Sequence, residues 1–109
     1  MKIVGIFDKY TAEVFKFLGI ETYVLSPDDQ NIGIKVSEKL SELKGNKKVF
    51  SILISKNISS KTRKEIEDFI MNNSRPSIVE VDPMYNIDIY EDYETIIKRT
   101  IKEILGIKL

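Results

Sequence analysis

The chain has 109 residues, the length of one domain, and its 42% hydrophobic content is enough for a single core without staples. Its 17 basic and 17 acidic residues cancel, so no global field draws it to nucleic acid or to an anionic membrane. Cysteine and histidine are both absent, which excludes disulfide scaffolds, thiolate and imidazole zinc sites, cysteine nucleophiles and Ser-His-Asp hydrolysis.

The opening MKIVGIF is too short and too soon charged for a signal peptide, and no apolar run nears the roughly 20 residues that span a bilayer. A soluble, intracellular protein is expected. Residues 2–7, KIVGIF, are apolar and β-branched almost throughout, as in a strand buried on both faces. Residues 11–18 read as a short helix with Val14, Phe15 and Leu18 on one face, and Gly19 as its left-handed stop. Residues 22–25, TYVL, make a second strand, followed by the turn-forming SPDDQN. From about Gln30 to Lys44 the apolar positions Ile32, Val36, Leu40 and Leu43 keep helical spacing, and Gly45 closes the helix.

Residues 48–54, KVFSILI, form the second strong apolar run, a partner for the first in mid-sheet. A helix is expected from about Ser60 to Asn73, with Thr62 and Glu65 at capping-box spacing and Ile66, Phe69 and Ile70 facing inward. Residues 77–81, SIVEV, give a fourth strand whose Glu80 suits a sheet edge or strand end. Four strand-like runs alternating with helices define a doubly wound α/β domain, residues 1–81: a CheY/flavodoxin-like parallel sheet of order 2-1-3-4 flanked by helices. Residues 82–94, DPMYNIDIYEDYE, carry five acids and no base and read as a hinge loop; a C-terminal tail helix over 95–109 follows.

Ligands of such sheets bind beyond the carboxyl ends of the central strands, here the loops FDKYT and SKNISS. Asp8 is the one acid there. A phosphoreceiver needs an aspartate at the end of the third strand, where this chain has Ser55-Lys56-Asn57, and magnesium needs more than one carboxylate. No GxGxxG and no P-loop pattern occurs. Lys9 and Lys56 could bind an anion at this rim, but solvated loop lysines are the simpler reading. No cofactor or metal is expected. Tyr85, Tyr90 and Tyr93 lie among acids, which suits hinge packing or protein contacts better than nucleic acid.

The tail TIIKRTIKEILGIKL has an apolar seam, Ile97, Ile101 and Ile104, a basic flank, Lys98, Arg99 and Lys102, and further apolar residues from Leu105 onward. Either a sheet face or a partner helix would accept that seam. Ile97, Lys98, Arg99, Ile101, Lys102, Ile104 and Leu105 are the candidate partner-binding residues.

The whole chain resembles the F subunit of V-type and archaeal A-type rotary ATPases. The resemblance rests on the start MKIVGIFDKYTAEVFKFLGI, the loop SPDDQN, the strand FSILISKNIS, the stretch RPSIVEVDP and the ending TIIKRTIKEILGIKL. Phe7 stands where that family usually has glycine before Asp8. The resemblance implies a non-catalytic central-stalk subunit, cytoplasmic and peripheral to the membrane. Its partners would be the coiled-coil central stalk subunit of D type and the catalytic head, with no nucleic acid and no membrane insertion. The alternative is a receiver-like or pseudo-receiver domain that binds a partner or small ligand.

Overall fold

Strands β1 (Lys2–Phe7), β2 (Glu21–Val24), β3 (Val49–Ser55) and β4 (Ser77–Val81) pair side by side in the order β2-β1-β3-β4, all parallel. The computed structural model describes residues 1–84 together with Lys98, Arg99, Ile101, Lys102 and Ile104. The two most apolar runs lie in the centre of the sheet, as expected. Val4, Ile6, Ile52, Leu53 and Ile54 are all fully buried, because a central parallel strand has covered faces on both sides.

Alternation along the strands divides the core in two. Val4, Ile6, Ile52 and Ile54 point to one face, which α2 (Ile32–Lys44) and α4 (Arg63–Asn72) cover with Ile32, Val36, Leu40, Leu43, Ile66 and Phe69. The four α2 positions are those expected from spacing. Each contributes about 1.5–3 kcal/mol by removal from water. Phe7, Leu53 and Val81 point to the other face, where α1 (Lys9–Phe17) places Ala12 and Phe15. Phe7 and Phe15 stack there with ring centroids 4.5 Å apart. Their packing depends on Gly5: a Cβ at that position would stand 2.0 Å from the nearest atom of the Phe7 ring.

Local details depart from expectation in several places. Helix α1 begins two residues early, at Lys9, because the carboxylate of Asp8 accepts from the backbone N–H groups of Tyr10 and Thr11 at 3.1 and 3.3 Å and so supplies an N-cap. Its buried residues are Thr11, Ala12 and Phe15. Val14 packs only partly against the core, and Leu18, just past the last turn, is 37% exposed. Gly19 does adopt the left-handed backbone (φ 81°), whereas Gly45 ends α2 in the right-handed region.

A short helix, α3 (Lys56–Ser59), directly follows β3 and was not expected. It removes the capping box: the Thr62 hydroxyl donates to the Ile58 carbonyl at 3.0 Å and makes no cap bond to α4. On α4, Ile66 and Phe69 turn to the core, but Ile70, a further 100° around the helix, is 53% exposed. At the edge of the sheet Glu80 pairs with Arg63 of α4, so the acid that interrupts β4 has a partner. The opposite edge is lined with polar links: Lys2 pairs with Glu21 at 3.3 Å, and the Lys39 ammonium lies 3.9 Å from the Tyr23 ring centroid.

Candidate functional site

The tail residues that the structure describes are helical, and one of them, Ile104, lies on the α1 side of the sheet. Ile104 is half-buried against the cluster of Phe7, Phe15, Leu53, Val81 and Met84. Ile101 is 45% exposed, although only three positions earlier on the same expected seam. Lys98 and Arg99 are exposed and Lys102 is half-buried. The structure therefore separates the candidate residues: Ile104 packs against the domain's own core, while Lys98, Arg99 and Ile101 are exposed. Ile97 and Leu105, the tyrosines of the acidic stretch and residues 85–94 of the expected hinge lie outside the described residues.

The carboxyl rim of the sheet is built around Asp8, only 4% exposed. One carboxylate oxygen takes the two backbone N–H groups at the start of α1, and the other accepts from the Thr11 hydroxyl. That hydroxyl in turn accepts from the backbone N–H of Met84 at 3.0 Å. The N–H of Asp8 itself donates to Ser55 Oγ at 3.3 Å, across from β1 to β3. Asp8 is thus a structural cap at the heart of a polar knot. Among the described residues no group of three or more acidic, His or Cys side chains is placed to hold a metal.

An open cleft of about 560 Å³ lies beside this knot, lined by Asp8, Tyr10, Leu25, Ser26, Pro27 and Asn57 among others. Lys9 sits at its margin and lies 5.9 Å from the Tyr10 ring centroid; Lys56 pairs with Asp82 at 2.9 Å. The two lysines weighed as an anion site thus have different neighbours. Thr11 is the residue that sequence reasoning missed. An aspartate three residues before a threonine at a helix start is an N-cap pattern, and it was available in DKYT.

Among the described residues three surface carboxylates ionise more readily than usual. Hydrogen bonds from the Tyr23 hydroxyl and the Lys2 ammonium hold Glu21 below the usual range. The Lys35 ammonium and the Asn31 N–H do the same for Asp29. For Glu80 the causes are the Ser59 hydroxyl and the Arg63 guanidinium. All three act in ion pairs between elements or loops, and none faces the cleft beside Asp8.

Among the described residues no helix is long and apolar enough to cross a membrane. A comparison with curated proteins found no match. The family described as "ATP synthase (F/14-kDa) subunit" matches residues 3–101, which includes the sheet, the rim and the beginning of the tail segment. With that match over nearly the whole chain and the all-parallel 2-1-3-4 sheet, the chain belongs to the ATP synthase F-subunit family, that of the V-type and archaeal A-type rotary ATPases.

Proposed function

We propose that the chain is a non-catalytic subunit of the central rotor stalk, held on the coiled-coil stalk subunit and carrying its tail helix toward the catalytic head. ATP hydrolysis or synthesis then takes place in other subunits, and this one turns with the shaft and helps couple that chemistry to ion transport. The reading places the protein in the cytoplasm, peripheral to the membrane. The observation that carries it is Ile101, an exposed apolar residue on a helix beside the exposed Lys98 and Arg99, in a chain of this family. Such a face suits a coiled coil: the isoleucine supplies apolar contact, and the cations meet acids of the partner, setting register and approach more than raw affinity. The acidic stretch that runs to residue 94 would serve as the hinge between domain and tail.

The test is binding of the full chain to the purified coiled-coil stalk subunit, followed by calorimetry. Ile101→Asp buries an unpaired charge in the supposed contact and is expected to weaken binding by about tenfold or more. Lys98→Glu with Arg99→Glu should slow association, most clearly at low salt. Unchanged affinity and rate in both variants would remove the tail from the contact.

A further inference from the structure

The amino-terminal ends of the strands carry a feature that is lined by none of the described tail residues. A groove of about 270 Å³ lies there, between the turn from α2 to β3 and the turn from α4 to β4. Lys44, Lys47, Lys48 and Arg75 line it together with Phe50 and Pro76, and no acidic side chain does. Six cations elsewhere on the surface are matched close by: Lys2 with Glu21, Lys35 with Asp29, Lys39 with Glu42, Lys56 with Asp82, Lys61 with Asp28 and Arg63 with Glu80. Lys9, Lys16 and Lys64 join no such pair among the described residues, but they do not share a groove with one another. Among the described residues the four groove cations join no ion pair. A chain of zero net charge has gathered uncompensated positive charge at one end of its sheet.

The backbone that presents these cations is fixed. Asn46 Oδ1 accepts from the N–H of Lys48 at 3.0 Å, the Asn46 carbonyl accepts from Val49 at 3.1 Å, and the Lys48 carbonyl accepts from Lys2 at 2.7 Å. On the far side Ser77 Oγ donates to Ser51 Oγ at 3.1 Å and ties the start of β4 to β3. Little backbone order would have to be gained on binding. Lys44 also complements the negative end of α2, in its last turn, but that accounts for one of the four cations only.

The lining is mixed in a way that narrows the occupant. Phe50 is 37% exposed beside the cations. A phosphate would engage the cations and leave the ring wet. A peptide carrying both carboxylates and an apolar side chain would use both halves of the groove.

We propose that this groove docks an acidic peptide segment of a partner protein, its carboxylates on Lys47, Lys48 and Arg75 and an apolar residue against Phe50. The site is built from turns at the end of the sheet opposite the Asp8 knot, and it does not depend on what the tail binds.

The test uses the full chain and a fluorescein-labelled peptide of roughly ten residues, glutamates with two leucines, read by fluorescence anisotropy. Binding is expected to weaken severalfold between about 50 and about 300 mM salt. It should weaken about tenfold in the surface variant Lys47→Gln/Lys48→Gln/Arg75→Gln, whose fold is checked by amide spectra. Amide shifts on peptide addition should gather at residues 46–50 and 75. Phe50→Ser in the intact basic groove should weaken peptide binding while leaving any pyrophosphate binding unchanged. The proposal is overturned if the triple variant binds the peptide as well as the parent, or if a peptide with lysines in place of the glutamates binds equally. It also fails if pyrophosphate or phosphatidylserine vesicles bind as tightly as the acidic peptide, or if the shifts gather at Asp8 and Asn57.

Discussion

The two faces of the sheet are closed in different ways. On one, α2 and α4 lay down long seams, and among the described residues those from Ile32 to Phe69 close the core together with Val4, Ile6, Ile52 and Ile54. On the other, α1 contributes only Ala12 and Phe15 to the buried cluster, Phe7 fills the space over Gly5, and Ile104 of the tail packs against the result. The first face is finished by regular helices. The second is finished by the stacked rings of Phe7 and Phe15, by Met84 and by an isoleucine borrowed from the tail, so among the described residues the tail holds both a position that completes the domain, Ile104, and an exposed one, Ile101. A tail that leaves the sheet must uncover apolar surface around Phe7, Leu53 and Val81, and that cost is part of any partner's affinity.

That contrast can be broken most strongly at Gly5. Gly5→Ala puts a methyl group into the Phe7 ring, which is fully buried and stacked on Phe15 and so cannot swing away. The expected loss is about 1–3 kcal/mol by chemical denaturation. In a Phe7→Leu background the added cost of Gly5→Ala should fall sharply, and strict additivity would show that the ring is not the obstacle.

A smaller effect is expected at the tail. Ile104→Ala should cost about 1 kcal/mol in the isolated chain, because the side chain is half-buried, whereas Ile101→Ala should cost no more than about 0.5 kcal/mol. Equal costs at the two positions would mean that the tail does not lean on the second face.

The smallest effect is a matter of pH. The carboxyls of Glu21, Asp29 and Glu80 ionise more readily in the folded chain than in the unfolded one. Their contribution is therefore fully present above the ordinary carboxylate range and is lost as pH falls from about 4 through the lowered folded values. Without histidine, the stability curve should stay flat between about pH 6 and about pH 8. Glu80→Gln should make the acid limb shallower by less than about 1 kcal/mol, the half-exposed Arg63 limiting the gain from the pair. A steep change near neutral pH would point to a group not considered above.

The regular parts of the molecule were legible because burial leaves a period. Ile32, Val36, Leu40 and Leu43 announced α2, and the two uninterrupted apolar runs announced the central strands and hence the sheet order. The ends of elements were less legible, since they are settled by hydrogen bonds that several residues can make. Asp8 extends α1 backwards, and Thr62 turns to Ile58 once α3 has formed in front of α4. Ile70 shows the limit of periodicity, which marks a stripe but not its width. For the tail, spacing gave one seam, and only packing tells Ile104 from Ile101. The basic groove could not be read from sequence at all. Its cations come from two turns, Lys44 to Lys48 and Arg75, that only the parallel sheet brings side by side.

The bond from Met84 to the Thr11 hydroxyl has a mechanical meaning. A pull on the C-terminal segment would enter the folded domain at Met84, whose side chain is buried and whose N–H is tied through Thr11 to Asp8 at the head of α1. The load would then divide between the helix start and β4. Because β4 runs parallel to β3, tension along it would strain the ladder in shear, with several hydrogen bonds resisting together, instead of peeling them one at a time. A Thr11→Val substitution would leave β4 to bear that tension alone, and it should lower the force at which the domain yields before it much alters the fold at rest.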